Sequence, residues 1–368
     1  MEEIRRNLQN FQAHGQACVI ATVIEVNGSA YRREGARCLI MPDGEVSGIL
    51  SGGCIEADLR EYAVQIFQTG KPHKVFYDFR AGEDDTWGTG IGCNGAITIW
   101  LELFNPLSLS AEAEQIIDDL RKRSETRHPY EAVTVLNSSD EAVYPAGMRW
   151  NRSSGDSAIQ SGRTAGTVQE LHNGVHLELL VEQIIPRPEL IIIGAGDDAR
   201  LLSSMAKMLQ WRVTILYHLT GSVNRERFPD ADEIMVIPRL AFEQAEVKGK
   251  YVVIMTHNLE LDREALRKLL PEDVAYIGLV GSRYRLENIL KSMETVDVDE
   301  PFDRRLLGKL YSPVGLDIGA ETPQEIAMSI MAEATAQRNG RKGGSLRERK
   351  GLSLSGMLPP ILKEAIHD

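Results

Sequence analysis

The stretch ELIIIGAGDDA, residues 189–199, decides the fold of the second half of the chain. A short run of β-branched residues leads into Gly194 and Gly196, and an amphipathic helix follows. In dinucleotide-binding βαβ units the first glycine of such a turn makes the tight bend, and the second lets the backbone approach a phosphate. Gly194 and Gly196 are therefore candidate cofactor-binding residues, the alternative being a turn that only packs strand against helix.

Outward from this turn, strands and amphipathic helices alternate. Apolar strands are predicted at 190–193, 212–217, 233–237, 251–255 and 275–279, with helices between them. This alternation favours a parallel sheet with right-handed crossovers. Thr322, Pro323 and Glu325 have the spacing of a capping box, which predicts a helix over 323–338.

The first half of the chain is richer in strands and hairpin turns. Strands are predicted at 17–26, 36–41, 45–50, 73–79, 96–104, 131–136 and 175–185, helices at 2–13, 54–67 and 111–123, and irregular structure with short strands over 137–174. We therefore expect an α/β protein in which an N-terminal mixed α+β domain precedes a Rossmann-like parallel α/β domain. The stiff sequence Pro186-Arg187-Pro188 is the predicted boundary, which gives domains of 1–186 and 187–340 and a C-terminal tail of 341–368.

Two cysteines stand in glycine-rich turns ahead of regular elements. Cys54 follows Gly52 and Gly53 at the predicted start of a helix, and Cys93 follows Gly92. Such glycines expose backbone N–H groups to an anion, and a helix N-terminus lowers the pKa of a thiol. The alternative for any one cysteine is a small buried hydrophobe. Because both Cys54 and Cys93 stand in such turns, the sequence predicts that they contribute to one shared site.

Basic side chains are further candidate cofactor-binding residues. Arg32 and Arg37 stand in the turn sequence NGSAYRREGAR, residues 27–37. They either bind an anionic ligand or form a solvated loop that pairs with the acidic residues 83–85. His257 follows the fourth strand of the second half, at the edge where α/β sheets bind ligands.

Two features argue against NAD(P) as the resident cofactor. Asp197 and Asp198 begin the helix after the glycine turn, where carboxylates repel a phosphate. Tyr217 ends the second strand, where nicotinamide-binding domains place an acid that holds the ribose hydroxyls.

Composition excludes several function classes. The net charge of −12 argues against nucleic-acid and anionic-membrane binding. No apolar run is long enough to span a bilayer, and the N-terminus MEEIRRNLQNF lacks a secretory signal, so we expect a cytoplasmic protein with reduced thiols. The cysteines lack zinc-site spacing, and Cys18 and Cys38, inside apolar strands, are predicted to be buried.

These motifs, in their order along the chain, resemble one known family. Residues 27–59 and 84–102, which contain SGGCIE and GIGCNG, resemble the first domain of the XdhC/CoxI family, the xanthine dehydrogenase accessory proteins. The sequences LIIIGAGDDA (190–199), THNLELD (256–262), YIGLVGSRYR (276–285) and SPVGLDIGAETPQEIAMSIMAE (312–333) resemble its Rossmann domain. The resemblance covers nearly the whole chain and is weakest over 105–187.

The resemblance implies a role in maturing molybdenum hydroxylases such as xanthine dehydrogenase. Family members bind molybdenum cofactor (molybdopterin), protect it, and help deliver its sulfurated form to the apo-enzyme, with a cysteine desulfurase as the implied sulfur source. The matching positions are Gly52, Gly53, Cys54, Gly92 and Cys93. The two thiols are the candidate catalytic residues, and they are expected to face the molybdenum or to receive sulfur.

We therefore expect a cofactor-binding accessory protein rather than a self-sufficient enzyme. Delivery needs a docking surface, and residues 352–362 are rich in apolar side chains, which predicts a homodimer. One departure from the family is Asn94, which follows Cys93 where a glycine pair is usual. The alternative functions are an NAD(P)-dependent oxidoreductase and an interaction scaffold whose Rossmann site is vestigial, and reduction of NAD by the pure protein would single out the oxidoreductase.

Overall fold

The computed structural model describes residues 2–53, 55–80, 95–153, 164–239, 241–296 and 303–346. Contacts divide the chain after Pro186 into two compact units. The candidate residues Cys54, Gly92 and Cys93, the acidic residues 83–85 and the segment 347–368 lie outside the described residues. No helix in the described ranges is long and apolar enough to cross a membrane.

The first unit begins with a five-stranded antiparallel sheet. Its strands are β1 (Cys18–Gly28), β2 (Arg37–Ile40), β3 (Val46–Ser47), β4 (His73–Asp78) and β5 (Gly95–Phe104). They are ordered β3-β2-β1-β5-β4. The strand predicted over 45–50 is only two residues long, because Gly48 has φ +96° and a Cβ there would lie 3.0 Å from the Arg37 carbonyl oxygen.

Helices cover both faces of this sheet, which is why β1 is buried along most of its length. The helices are α1 (Glu2–His14), α2 (Glu56–Thr69) and α3 (Ser110–Glu125). On one face, Leu59 and Ile66 of α2 pack with Val19 and Ile99. On the other face, apolar residues of α1 and α3 form a separate cluster around Phe104.

A four-stranded antiparallel sheet completes the first unit. Its strands are β6 (Tyr130–Ser138), β7 (Arg149–Ser153), β8 (Ala165–His172) and β9 (Val175–Ile184), ordered β7-β6-β9-β8. Strands β7 and β8 are the short strands expected within 137–174. Their sequences do not show a clear alternation of apolar and polar residues. Some of the polar side chains form ion pairs instead, as Arg149 does with Glu102 and Arg152 with Glu131.

The second unit is a six-stranded parallel sheet. Its strands are β10 (Glu189–Ile193), β11 (Arg212–Tyr217), β12 (Glu233–Val236), β13 (Tyr251–Ile254), β14 (Tyr276–Leu279) and β15 (Leu310–Tyr311). The order β12-β11-β10-β13-β14-β15 reverses direction at β10. A crevice at the carboxyl ends of β10 and β13 is the position at which such sheets bind ligands.

Helices lie on both faces of the parallel sheet, so its strands are apolar throughout. Helices α4 (Asp197–Met208) and α7 (Pro323–Arg338) contribute to one apolar cluster, and α5 (Leu259–Leu269) and α6 (Arg283–Val296) to the other. The predicted fold class, a mixed α+β unit followed by a Rossmann-like unit, is confirmed.

The predicted capping box at the start of α7 is also confirmed. The Thr322 hydroxyl accepts from the Glu325 N–H, and the Glu325 carboxylate accepts from the Thr322 N–H. Strand β15 and helix α6 were not predicted, since β15 is only two residues long and the segment of α6 is interrupted by charged residues.

Candidate functional site

The turn that precedes Cys54 is held together by a carboxylate from the helix that follows it. Glu56 of α2 accepts hydrogen bonds from the backbone N–H of Ser51 at 3.0 Å and of Ile55 at 3.2 Å. Its other contact is with the Ser51 hydroxyl at 2.5 Å. That hydroxyl in turn accepts from the Gly53 N–H at 3.2 Å. The N–H groups of Ser51, Gly53 and Ile55 are thus engaged by groups of the protein itself.

The two glycines of this turn are open to their surroundings. A Cβ built on Gly52 or Gly53 would meet no atom within 4 Å, and Gly53 has φ +105°, which favours glycine. The turn is therefore a place where a ligand could approach the backbone closely. Cys54 follows it directly in sequence.

The loop that carries Arg32 joins this turn to the start of β5. The Arg32 Nε donates to the Ile49 carbonyl oxygen at 3.2 Å, two residues before Ser51. The same loop abuts Gly95, where a Cβ would lie 2.5 Å from the Ser29 carbonyl oxygen. Three segments therefore converge: the loop after β1, the turn before α2, and the first residue of β5, which stands two positions after Cys93 in sequence.

Arg37 is engaged elsewhere, inside the first unit. Its guanidinium makes two hydrogen bonds to Glu182, at 3.0 and 2.7 Å, and a third to the Gly35 carbonyl oxygen. Arg123 of α3 donates to the same carboxylate at 2.7 Å. Burial alone would raise the pKa of Glu182, but the two guanidinium groups lower it well below its usual range. Arg37 thus connects β2 to β9 through a buried ion pair.

The remaining cysteines are buried thiols. Cys18 and Cys38 are both fully buried, as their apolar strands predict. Burial raises the pKa of Cys38 to about 12, with a smaller contribution from the charge of Glu56, and it raises the pKa of Cys18 further. Neither sulfur is a thiolate near neutral pH.

In the second unit, Gly194 is required by the close approach of two turns. It has φ +153°, and a Cβ on it would lie 2.5 Å from the Met255 carbonyl oxygen. Its N–H donates to the Leu216 carbonyl oxygen at 3.1 Å. The glycine turn is therefore packed between the ends of β11 and β13, and any larger residue would push these strand ends apart.

The structure brings Gly196 and His257 together at the reversal point of the sheet. A Cβ on Gly196 would lie 3.6 Å from the His257 Nε2, and that nitrogen is 3.9 Å from an oxygen of Asp198. His257 has φ +57°, uncommon for a residue other than glycine. Asp197 pairs with Arg227 at 3.3 Å, which offsets part of the negative charge at the start of α4.

A buried carboxylate that the sequence reasoning missed fixes the loop of His257. Asp262 is 1% exposed, and it accepts from the Thr256 hydroxyl at 2.5 Å and from Arg285 at 2.6 Å. Asn258 caps α5 by accepting from Glu260 and Leu261. The signal in the sequence was THNLELD itself, because an asparagine at the start of a helical pattern indicates an N-cap and hence a structured turn.

The described residues hold no cluster of three or more His, Cys, Asp or Glu side chains suited to a metal ion. This finding does not cover Cys54 and Cys93, which are the candidate metal ligands. Two separate candidate sites remain: the converging segments before Cys54 in the first unit, and the crevice with Gly196 and His257 in the second.

Comparison with known proteins extends over nearly the whole chain. A Bacillus subtilis (strain 168) protein, named as a probable component of xanthine dehydrogenase, is 30% identical over 333 residues, covering 88% of this chain and 94% of that protein. This chain belongs to the XdhC and CoxI family. The model of that family matches residues 11–78, and the XdhC Rossmann domain model matches residues 190–334.

Two further relatives of this XdhC and CoxI family member agree with that assignment. The Escherichia coli (strain K12) molybdenum cofactor insertion chaperone PaoD is 23% identical over 326 residues, which is 88% of this chain and 84% of PaoD. A crystal structure described as a xanthine dehydrogenase from Bacillus halodurans has a TM-score of 0.66 and 30% identity, covering 95% of this chain and 99% of that one.

Proposed function

We propose that this protein is an accessory protein for the maturation of a molybdenum hydroxylase such as xanthine dehydrogenase. In this proposal it binds molybdenum cofactor, assists its sulfuration and inserts it into the apo-enzyme. The proposal is supported by family membership and by the likeness, over most of both chains, to a molybdenum cofactor insertion chaperone. The cofactor is cargo rather than a resident group.

The observation that supports a site in the first unit is the convergence of three glycine-containing segments. The loop after β1 contacts the other two segments: Arg32 donates to Ile49, just before the turn at Gly52 and Gly53, and Ser29 lies against Gly95 at the start of β5. Cys54 adjoins the second segment in sequence and Cys93 the third. A convergence of this kind fits a site built from both thiols, as the shared-site hypothesis requires.

The described residues suit the proposed cargo in two respects. Gly52 and Gly53 leave space for a bulky ligand, and Arg32, which donates to Ile49 just before this turn, is an exposed guanidinium that can hold a phosphate. Thiolates are soft ligands, which suits Cys54 and Cys93 to contact with a transition metal. Arg37, paired with Glu182, supports the loop from within the core.

The Rossmann unit provides a second place for a phosphate of the cargo. Gly194, Gly196 and His257 line the crevice at the reversal point of the sheet. The rival function, an NAD(P)-dependent oxidoreductase, is less well supported, because Tyr217 stands at the end of β11 in place of an acid. We propose a cytoplasmic homodimer whose partners are the client enzyme and a cysteine desulfurase.

Retention of cofactor tests the proposal directly. The purified full-length protein is mixed with molybdenum cofactor released from a donor enzyme and is passed over a desalting column. We expect molybdenum and pterin to elute with the protein in equal amounts, and C54A to lose them while C18A, which removes a buried thiol, keeps them. Equal retention by all three proteins would disprove the site, and no retention by any would disprove cofactor binding.

A further inference from the structure

The carboxyl ends of β11 and β12 bring two basic side chains to one edge of the Rossmann unit. Tyr217 pairs with Val236 in the sheet, and the Ile237 N–H donates to the Tyr217 carbonyl oxygen at 3.0 Å. His218 directly follows β11, and Arg239 stands three residues after the end of β12. Both residues therefore leave the sheet on the side where such folds bind ligands.

This edge is where a Rossmann unit distinguishes nucleotides by their ribose. An acid after the second strand binds the free 2′- and 3′-hydroxyls, whereas an arginine nearby accommodates a 2′-phosphate. Here the acid is replaced by Tyr217, the imidazole of His218 comes next, and the guanidinium of Arg239 stands after the neighbouring strand β12. The exposed apolar side chains of Leu219 and Val236 flank them and offer a surface to a base.

The two basic groups follow the ends of two paired strands, β11 and β12. The rings of Tyr217 and His218 are 4.5 Å apart between centroids and inclined by 51°, which holds the imidazole at the strand end. Burial lowers the pKa of His218, and the positive charge of Arg239 lowers it further. A phosphate that accepts hydrogen bonds from both side chains offsets the charge of Arg239 and favours the protonated imidazole.

The acidic groups of this edge do not prevent anion binding. Glu260 accepts from Arg239 at 2.6 Å, but both side chains are about half exposed, and such surface pairs contribute little to stability. The guanidinium can therefore exchange Glu260 for a ligand phosphate at small cost. Asp197, at the start of α4, is paired with Arg227.

We propose that His218 and Arg239 bind the 2′-phosphate of a nucleotide whose base and ribose lie over the ends of β11 and β12. The phosphate accepts hydrogen bonds from the imidazole and the guanidinium, and the glycine turn at Gly194–Gly196 faces the rest of the ligand. This inference goes beyond the accessory function and does not rest on it, since it concerns the second unit alone. The ligand class is a 2′-phosphorylated nucleotide, in contrast to one with a free ribose diol.

Calorimetric titration of the full-length protein with two matched probes tests the proposal. Adenosine 2′,5′-bisphosphate carries the 2′-phosphate, and adenosine 5′-diphosphate has the same number of phosphates with a free diol. We expect the bisphosphate to bind about tenfold more tightly or better, the equivalent of one strong charged hydrogen bond. Equal affinities, a preference for the diphosphate, or no binding of either probe would overturn the proposal.

Variants locate the phosphate. R239Q and H218N should each remove most of the preference for the bisphosphate. R121Q is the matched control, because Arg121 is also a half-exposed arginine paired with a neighbouring carboxylate, Asp118, in the first unit. It should leave the preference unchanged, and thermal unfolding would confirm that each variant is folded. A preference that survives R239Q and H218N, or that R121Q abolishes equally, would also overturn the assignment.

Discussion

The Glu56 carboxylate binds Ser51 twice, accepting from its backbone N–H at 3.0 Å and from its hydroxyl at 2.5 Å. A side chain of α2 thereby fixes the turn that leads into Cys54. The sequence SGGCIE by itself predicts that the backbone N–H groups of this turn are free to bind a ligand anion. The structure shows that Glu56 already uses the donors of Ser51 and Ile55, so a ligand phosphate must either displace it or bind beside it, as at Arg32.

Replacing Glu56 by glutamine should loosen this turn. The amide retains the shape but loses the charge that strengthens the hydrogen bonds, so we expect E56Q to lower the free energy of unfolding by roughly 1–2 kcal/mol in urea titrations. E61Q, on an exposed position of the same helix, is the control and should change it by less than about 0.5 kcal/mol. An E56Q protein as stable as E61Q would contradict the role of the carboxylate.

The same contact predicts a dependence on pH. Burial alone would raise the pKa of Glu56, but hydrogen bonds from Ser51 and the neighbouring backbone outweigh it and lower the pKa. Because its pKa is lower in the folded state, the ionised Glu56 stabilises the fold. This stabilisation is complete above the pKa of the unfolded state, about 4.3, and is lost as the pH falls toward the pKa of the folded state. The stability difference between wild type and E56Q should therefore shrink below about pH 4 in parallel urea titrations. A difference that stays constant with pH would exclude this linkage.

Glu182 should be among the most sensitive residues of the first unit. Its carboxylate is almost completely buried between Arg37 and Arg123, so E182Q leaves two buried guanidinium groups without their shared counter-charge. We expect a loss of about 3–5 kcal/mol in the free energy of unfolding. D118N breaks the exposed pair with Arg121 and should cost less than about 1 kcal/mol. Similar losses in the two variants would contradict the importance of burial.

Thiol labelling should separate the four cysteines into two classes. Cys18 and Cys38 are buried with raised pKa values, so they should resist alkylation at pH 8 until the protein is denatured. The proposed site requires Cys54 and Cys93 to react in the folded protein. Peptide mass spectrometry after a short pulse of iodoacetamide identifies which cysteines are alkylated in the folded protein. Labelling of Cys38 in the native protein would contradict the division into two classes.

NADH should bind weakly. Tyr217 occupies the strand end at which an acid would hold the ribose diol, and loss of that contact costs roughly 1–3 kcal/mol, or about one to two decades in affinity. Calorimetry should therefore show no dissociation constant for NADH in the low micromolar range, and no NAD(H) should copurify. Tight binding of NADH, together with its oxidation by a carbonyl substrate, would instead favour the oxidoreductase.

Much of the fold is predictable because it rests on local patterns. The run before Gly194 specifies a buried strand, its glycines specify the turn, and Thr322 with Glu325 specifies the start of α7. These features depend on residues within a few positions of one another. Family membership follows from several such patterns in one order.

The candidate sites were only partly predictable, because side-chain partners come from distant parts of the chain. Arg37 and Glu182 are separated by 145 positions, so nothing near Arg37 indicated that its charge is neutralised in the core. The link from Arg32 to Ile49 likewise depends on how two loops meet in three dimensions. The position of His257 at the ligand-binding edge, in contrast, is predicted by the rule that parallel strands end at one edge, and the structure places it next to Gly196.

The most direct test of the accessory function is the amount of molybdenum cofactor that the pure protein retains, and what that retained cofactor does. We expect about one molybdenum and one pterin per chain after desalting, and activation of a cofactor-free xanthine dehydrogenase when the loaded protein is added. C54A should retain far less and activate correspondingly less. A wild-type protein that retains no cofactor, or one whose retained cofactor never reaches the apo-enzyme, would contradict the account.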